Sequence, residues 1–538
     1  MNQTLLGMLD GGARAASAGP ALIERRGEAY VEVSHPALRA AIDAAARALV
    51  TSGVRKGDVI GVWLPNGLDY LAAEFAAAAM GAAVLGINTR YGVFELSNLM
   101  TAGRLTAIVL PARFLDLDFA GRLGAGFATA RDAIPDLVAP SILVADADGA
   151  DLARFDIGGG AIELALEGPA APCGDAGEPS AAVNYFTTSG STGAPKLAGH
   201  DQQSVTIHSP LIAAAFDMRP GDVVLGVLPF CGVFGFNIAM AALASGATCL
   251  VDPMFDARAA LAAMARFKVT QAFGGDDLFA RLHEVWLEDP VDLPHLRRGA
   301  IAEFEGRAAT LAAWARASFG AELTGVYGSS EVLSFAMSRP VLGDCAAQVK
   351  GGGLPLSDRM AFRIADPETG AILPRGAPGE LQARGYNVLL HYLGNPAATA
   401  RAFTADGWFR TGDLASDDGE AGFTFLCRNS DALRLRGFLV EPAEIEQFLM
   451  SHPGVDTARV VGVRTARGDA PVGFVTVTDK TLTGEALVRF CKSGLAAFKA
   501  PARVEILDSF PVTVGTNGAK IRTEELKRIA QDLVVASG

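Results

Sequence analysis

The stretch Thr187-Thr188-Ser189-Gly190-Ser191-Thr192-Gly193-Ala194-Pro195-Lys196 concentrates residue types that can hold a polyphosphate. Glycines let the backbone approach an anion closely, hydroxyls add donors, and the lysine supplies a cation. It is not a Walker loop, because Pro195 stands where that motif needs glycine before Lys196. On composition alone, such a run reads equally well as a surface linker. Further charged residues sit in small-residue contexts: Glu331 in Tyr327-Gly328-Ser329-Ser330-Glu331, Asp413 closing Gly407-Trp408-Phe409-Arg410-Thr411-Gly412-Asp413, and Lys520 in Asn517-Gly518-Ala519-Lys520-Ile521-Arg522. Taken singly, each has an ordinary reading. Glu331 would be a helix-start carboxylate, Asp413 a turn aspartate, Tyr327 a core residue, and Arg428 and Lys520 solvated surface charges.

Their order along the chain changes that weighting. The loop, the Tyr327 and Gly407 stretches, the segment from Arg428 through Arg434-Leu435-Arg436-Gly437 to Glu441-Pro442-Ala443-Glu444-Ile445-Glu446, and the Lys520 stretch together resemble the signatures of the adenylate-forming superfamily. That superfamily includes acyl-CoA synthetases, luciferases and the adenylation domains of peptide synthetases, and the likeness here is closest to acid–CoA ligases. It runs from the Gly57-Asp58 turn to Arg522, with Ser330 in place of a threonine.

The resemblance implies a role for each residue. Thr188, Ser189, Gly190, Ser191, Thr192, Gly193 and Lys196 would cradle the phosphates of ATP. Tyr327 would stack on adenine, with Gly328 beside it, and the Ser330 hydroxyl would reach phosphate. Asp413 would accept from both ribose hydroxyls, and Arg428 would hold ribose or phosphate. Glu331 would bind Mg2+, which suits a hard oxygen donor. Lys520, with Thr192 and Glu331 in the catalytic set, would bridge the attacking carboxylate and the α-phosphate. A compact cation there offsets the repulsion of two approaching anions. Many relatives carry Gly-Lys where this chain has Gly518-Ala519-Lys520, so the alignment of the lysine rests on Ile521-Arg522. The implied reaction has two halves, acyl-AMP formation with loss of pyrophosphate and then transfer to coenzyme A. Between them the small domain turns about a hinge at Ser430 and Asp431, bringing Arg436 and Gly437 to the pantetheine channel.

The acid pocket departs most from the family pattern. It is expected from Cys231, Gly232, Phe234, Gly235, Glu303, Phe304 and Ser329, with Gly232 where relatives usually carry histidine, which should enlarge the site. Ala302-Glu303-Phe304-Glu305 replaces a loop of small residues, and Glu303 either points to solvent or charges the pocket rim. No aspartate near Gly235 offers to hold a substrate ammonium, so a fatty, alicyclic or aromatic acid is expected. Cys231 has no histidine near it in sequence and reads as a buried residue, not a nucleophile. His200, just after the phosphate loop, either touches substrate or coenzyme A or has a structural role. Two other functions stay open: delivery of the acyl group to a carrier protein, and a catalytically weakened scaffold, though the latter has no chemical reason to keep Lys196, Glu331, Asp413 and Lys520 together.

The elements that must position these groups read as α/β. Leu38 to Val50 has helical spacing, Val59 to Trp63 is a strand, and Asn184 to Thr187, Val223 to Leu228 and Ala247 to Val251 read as further strands, with a helix at Ala257 to Phe267. Leu71 to Ile87 reads as one buried helix interrupted by Glu74. Strands at Arg459 to Val463 and Val472 to Val477 with a helix at Glu485 to Phe498 suggest a small α+β unit. The expected organisation is a large layered N-terminal domain with mixed sheets over 1–430 and a smaller, mobile α+β domain over 431–538. In a chain of 538 residues, half hydrophobic and with a formal charge of −13, nucleic acid is disfavoured as partner because phosphate backbones need clustered cations. No secretory signal or transmembrane segment is expected, and a homodimer stays open. Six scattered cysteines without a C-x-x-C pair suggest reduced thiols and a cytoplasmic setting.

Overall fold

Apolar runs alternating with glycine turns build two sheets of opposite character. In the computed structural model all residues are described except 1–3, 17–18, 148, 167–171, 189–195, 305, 430–432, 436–437, 441, 466–467, 496–498, 516–517 and 536–538. Among the described residues one sheet has seven strands, ordered Ala161–Glu163, Ser141–Ala145, Ala107–Pro111, Val59–Val62, Ala83–Gly86, Ala182–Thr187 and Leu197–Asp201. All its pairings are parallel except the last, in which Thr187 faces Leu197. Parallel strands buried on both faces read as continuous Val/Ile/Leu runs, as Ile108 to Leu110 and Ile142 to Val144 do here.

The second sheet changes hand part-way. Leu22–Arg26, Thr248–Val251, Val223–Gly226, Gln271–Gly275, Arg298–Ala302 and Glu322–Tyr327 run parallel. From Met337–Ser338 onward, through Gly352–Pro355, Phe423–Arg428, Phe409–Asp417, Gly379–Gly385 and Met360–Ala365, the pairs are antiparallel. The strand carrying Tyr327 thus lies where the parallel half meets the antiparallel half that carries Asp413 and Arg428.

The largest core cluster joins residues of both sheets with the helices Leu68–Met80 and Val233–Ser245. Both helices are apolar around nearly their whole circumference, as a helix buried between two layers must be. The apolar run Leu71 to Ile87 is therefore not a single helix: the helix ends at Met80, Gly81 takes φ 74° at its C-cap, and Ala83–Gly86 is a strand. Only a residue without Cβ turns the chain there cheaply. The remaining helices and strands expected from sequence appear within a few residues of their expected ends, the last expected helix stopping at Gly494. No helix among the described residues is long and apolar enough to cross a membrane.

A separate core forms in the C-terminal unit, around Ile445, Leu449, Val460, Val475 and Leu487. Its three-stranded sheet pairs Val455–Thr465 with Gly468–Val477 and then Arg503–Ile506. Two small ribbons flank it, Leu433–Leu435 with Phe438–Val440 and Val512–Gly515 with Gly518–Ile521.

Candidate active site

The antiparallel hairpin Ala182–Thr187/Leu197–Asp201 holds the two ends of the phosphate-type loop, and Thr188 N donates to Lys196 O at 2.9 Å. Ser189, Gly190, Ser191, Thr192 and Gly193 lie outside the described residues. At the loop's exit the Lys196 ammonium sits 4.9 Å above the Tyr392 ring, an arrangement in which the ring's negative face favours the cation. The loop is tied to the next signature directly, because Ser330 Oγ donates to Thr187 O at 3.1 Å.

That second signature is a tight turn rather than a helix start. The strand Glu322–Tyr327 delivers Gly328, where a Cβ would come within 2.4 Å of Ser334 Cα, so no side chain fits. Ser329 then caps a single 3-10 turn over Ser330–Val332, its Oγ accepting from Glu331 N at 3.2 Å. Leu333, Ser334 and Phe335 follow with φ of 60°, 42° and 42°, a left-handed run that costs non-glycine residues on the order of 1–2 kcal/mol each. Glu331 Oε1 accepts from Tyr392 Oη at 3.1 Å. Burial, then the nearby carboxylate, pushes the Tyr392 hydroxyl well up from its ordinary value, so it stays a donor. The other oxygen of Glu331 takes no hydrogen bond among the described residues.

His200 belongs to this framework, not to a substrate contact. It is fully buried, and Nε2 lies 2.7 Å from Ser330 O. Burial lowers its pKa to about 4, so the ring is neutral at physiological pH and donates to the carbonyl.

Asp413 lies inside the strand Phe409–Asp417 rather than after it, directly opposite Arg428 on Phe423–Arg428. Its carboxylate is 3 % exposed. Tyr327 Oη donates to Oδ2 at 2.7 Å, and Arg428 Nε stands 3.1 Å from Oδ1. The Arg428 side chain is half exposed and acts electrostatically on Tyr392 as well as on Tyr327. Tyr327, Asp413 and Arg428 thus form one polar group across the two halves of the large sheet, and Lys196, Tyr392 and Glu331 form a second one at the exit of the phosphate-loop hairpin. The Tyr327 ring is itself buried, 6 % exposed, and tilted against Phe425.

Of the residues expected to line the acid pocket, Cys231, Gly232, Phe234 and Gly235 gather at the start of the helix Val233–Ser245. Gly232 is its N-cap, and its N–H donates to Pro229 O at 3.1 Å. Asn66 locks the preceding segment, donating to Leu228 O at 2.8 Å and accepting from Phe230 N at 2.8 Å. Cys231 backs onto the strand Ala83–Gly86, where a Cβ on Gly86 would lie 2.8 Å from Cys231 Cα. Burial pushes the Cys231 thiol up to about 12, leaving no thiolate at neutral pH. Phe234 packs at 4.9 Å against Phe335, delivered by the left-handed turn. Gly235 is obligatory, because a Cβ would lie 2.4 Å from Pro229 O.

Glu303 and Phe304 occupy a different loop. Fully buried Asp276 accepts from Phe304 N and Arg307 N, each at 3.0 Å, and so fixes that loop from the start of the helix Asp276–Glu288. Glu303 is exposed on this loop. Partial burial and Asp276 raise its pKa, opposed by Lys350 and Arg459. Arg459 belongs to the C-terminal unit and donates to Phe304 O at 2.6 Å, joining the two units at this loop. The ribbon strand Gly518–Ile521, which carries Lys520 opposite Thr513, also comes within 8 Å, Cα to Cα, of the helix Asp276–Glu288. The side chain of Lys520, and residues Ser430, Asp431, Arg436 and Gly437, lie outside the described ones.

A family model described as AMP-binding enzyme matches residues 12–393, and one described as AMP-binding enzyme C-terminal domain matches 444–515. The chain belongs to the AMP-binding enzyme family. A relative from Rhodococcus jostii, named a 3-[(3aS,4S,7aS)-7a-methyl-1,5-dioxo-octahydro-1H-inden-4-yl]propanoyl:CoA ligase, is 30% identical over 486 residues, covering 87% of this chain and 88% of that protein. The medium-chain acyl-CoA ligase ACSF2, mitochondrial, of Rattus norvegicus is 28% identical over 520 residues, covering 92% and 83%. The solved structure of ATP-bound MatB from Rhodopseudomonas palustris superimposes with a TM-score of 0.82 at 26% identity, covering 99% of this chain and all of that one. The α/β fold with mixed sheets in a large domain and a smaller C-terminal domain is the family's.

Several residues of this AMP-binding enzyme were not singled out in its sequence. Tyr392, Asn66, Asp276 and Arg459 are single polar residues in ordinary contexts, and their partners stand tens of residues or more away, so spacing carries no signal for them. Tyr392 alone had a local hint, the Gly394-Asn395-Pro396 turn just after it.

Proposed function

We propose that this AMP-binding enzyme is an ATP-dependent carboxylic acid–CoA ligase acting through an acyl-AMP intermediate. The observation that carries the reading is the pair of polar groups Lys196–Tyr392–Glu331 and Tyr327–Asp413–Arg428, from which the turn after Glu331 leads to the packed apolar rings of Phe335 and Phe234. A charged nucleotide and an apolar acid have separate, adjoining places in it. Asp413 would accept from the ribose, sharing its carboxylate with Tyr327 and Arg428. Stacking of adenine on Tyr327 requires the nucleotide to displace groups that now cover the ring.

Glu331 fits magnesium that arrives with ATP. One carboxylate oxygen is oriented by Tyr392 and the other is open. Among the described residues no cluster of three or more acidic, histidine or cysteine side chains could hold a resident ion; Mg2+ is usually bound by one or two carboxylates plus substrate phosphates. When bound, the ion would neutralise charge developing on the phosphates. Lys520, from the C-terminal ribbon, would bring its ammonium to the acid carboxylate and the α-phosphate. Arg436 and Gly437 would approach the coenzyme A thiol after the C-terminal unit turns about Ser430 and Asp431, near which the boundary between domains 1–430 and 431–538 falls.

Without a carboxylate among Cys231 to Gly235 to hold an ammonium, and with phenyl rings behind the pocket, the acid is fatty, alicyclic or aromatic. The medium-chain and bicyclic acids in the relatives' names support this. Six free cysteines support a cytoplasmic setting.

The test is pyrophosphate release from Mg·ATP across fatty, alicyclic, aromatic and amino acids, with and without coenzyme A. Release with octanoate or 3-cyclohexylpropanoate that turns over with coenzyme A is expected. Release only with amino acids overturns the acid class, release without coenzyme A turnover points to a carrier protein, and no release with any acid favours a binding role.

A further inference from the structure

The left-handed run Leu333–Ser334–Phe335 is held by buried polar groups from three other segments. Asn237 Nδ2 donates to Leu333 O at 2.6 Å and to Ser334 Oγ at 2.9 Å. His208 Nε2 lies 2.8 Å from Ser334 O while its Nδ1 lies 2.9 Å from Tyr386 Oη. Because a carbonyl only accepts, Nε2 carries the proton and Nδ1 accepts from the tyrosine. Asn387 Nδ2 donates to Val332 O at 3.1 Å, and Ser334 N closes the turn on Ser329 O at 2.9 Å. Asn237, His208 and Asn387 are all fully buried. A backbone run of this kind persists only where its surroundings over-determine it, and strained segments of this sort cluster at functional sites.

The two ends of the run lead to different ligands. Upstream, it closes on Ser329 and so sets the 3-10 turn that carries Glu331. Downstream, it places the Phe335 ring 4.9 Å from Phe234, with Phe216 and Phe273 at 5.8 and 6.0 Å behind it. Asn237 stands one helical turn after Phe234 on the same helix, Val233–Ser245, and Ser334 Oγ also reaches Val233 O at 3.4 Å. A displacement of Phe234 by an incoming acid therefore bears on the same helix and the same turn that orient Glu331.

We propose that Asn237 and His208 are positioning residues: by clamping the turn 333–335 they join the acid pocket and the Mg·ATP carboxylate into one unit, so that acid and nucleotide bind with positive coupling. This rests on the assignment of Glu331 to Mg·ATP. In a well-packed interior such a unit shifts as a whole, and coupling between two ligands is reciprocal.

The experiment is calorimetric titration of the full chain with α,β-methylene-ATP, which the enzyme cannot cleave at the reacting bond. It is run with Mg2+ or with EDTA, and with or without octanoate or 3-cyclohexylpropanoate. In the parent, Mg2+ is expected to tighten nucleotide binding and at least one acid to tighten it about fivefold or more. His208→Leu should bring that coupling below about twofold, with nucleotide affinity in EDTA unchanged, and His208→Gln, whose amide can still donate to Ser334 O, should restore it. Ser334→Gly, which adopts the same φ without strain and lacks the Oγ that Asn237 holds, is the second variant should His208→Leu fail to fold. It too should lose the coupling. Nucleotide binding indifferent to Mg2+ in the parent overturns the Glu331 assignment itself. Mg2+-dependent binding with no acid coupling in the parent, or coupling that survives in the folded variants, overturns the clamp.

Discussion

Where the proposal places the nucleotide, Tyr327, Asp413 and Arg428 meet through a hydrogen bond and an ion pair, and Tyr392 and Glu331 through a second hydrogen bond. Where it places the acid, Phe234 packs on Phe335, and Gly235 lies against the backbone of Leu228 and Pro229. The first kind of site depends on which atoms carry charge and tolerates little chemical change. The second depends on volume, so reshaping it should act first on which acid is used and reach the nucleotide only through the turn 333–335. The two ends should therefore answer differently to substitution: charge removal should strike the chemistry with any acid, and volume changes should alter which acid is used.

The largest effect is expected at Lys520. Lys520→Ala should slow acid-dependent pyrophosphate release by at least about a hundredfold, the scale seen when one preorganised electrostatic group is removed. Its thermal midpoint should stay that of the parent, and transfer from preformed acyl-AMP to coenzyme A should persist. Equal loss in both half-reactions would remove Lys520 from the adenylation step.

Asp413→Asn is next. The amide still accepts from Tyr327 but no longer carries the charge that Arg428 and a ribose would share. Loss of a charge-assisted hydrogen bond, about 1.5–3 kcal/mol, predicts a fall of roughly tenfold to a hundredfold in kcat/KM for ATP. Steady-state kinetics with two different acids should show the same factor for both, and a factor that varies with the acid would break the division between the two ends.

Gly235→Ala tests the other end. The added Cβ would meet Pro229 O at 2.4 Å and Leu228 O at 2.5 Å, so the segment Leu228–Cys231 must move. Overpacking of this sort costs about 1–3 kcal/mol. The acid KM should rise about tenfold, more for long acids than for short ones, while the KM for ATP stays within about twofold.

This division also governs what could be read from sequence. Lys196, Glu331, Asp413 and Arg428 drew attention because a charge in a fixed small-residue context has few other reasons to be there; the structure brings Lys196 and Glu331 together at Tyr392 and pairs Asp413 with Arg428. The two-domain α/β plan was visible in the alternation of apolar runs. The left-handed turn was not, since Leu333, Ser334 and Phe335 are residue types that give no sign of positive φ. Asn237 and His208 looked like ordinary helix residues, their partners Leu333 and Ser334 lying about a hundred residues away in sequence. Leu71 to Ile87 misled because a buried helix and a buried parallel strand are both continuously apolar, leaving Gly81 as the mark of the break.

Buried titrating groups stand behind both ends with opposite sign. His200 and His208, behind the nucleotide turn, have folded-state pKa values lowered by burial to about 4. Their stabilisation is present above the unfolded value near 6.5 and is lost as pH falls toward 4. Glu74 is fully buried, bonded to Asn184, and next to Tyr70, which packs on Phe230 behind the acid pocket. Burial raises it to about 8, so its contribution is present below 4.5 and is lost as pH rises through 8. Glu74→Gln should therefore raise the thermal midpoint relative to the parent by a few degrees more at pH 8.5 than at pH 5.5. Parallel midpoint curves across that window would show that Glu74 does not titrate there.

The smallest effect is expected at Cys231, the residue in the acid end with the most obvious chemistry. A nucleophilic cysteine needs a thiolate, and therefore a nearby cation, base or helix dipole that lowers its pKa. Cys231 precedes the N-cap Gly232, but its thiol is buried, raised to about 12, and packed against the strand Ala83–Gly86. It acts as volume, like the phenyl rings beside it. Cys231→Ala should retain adenylation within about threefold and shift the preferred acid slightly toward bulkier ones, as removal of one small buried group does. Iodoacetamide should leave the parent's pyrophosphate release unchanged at neutral pH. Rapid inactivation protected by the acid, together with an inactive Cys231→Ala, would make this end a site of covalent chemistry and erase its contrast with the nucleotide end.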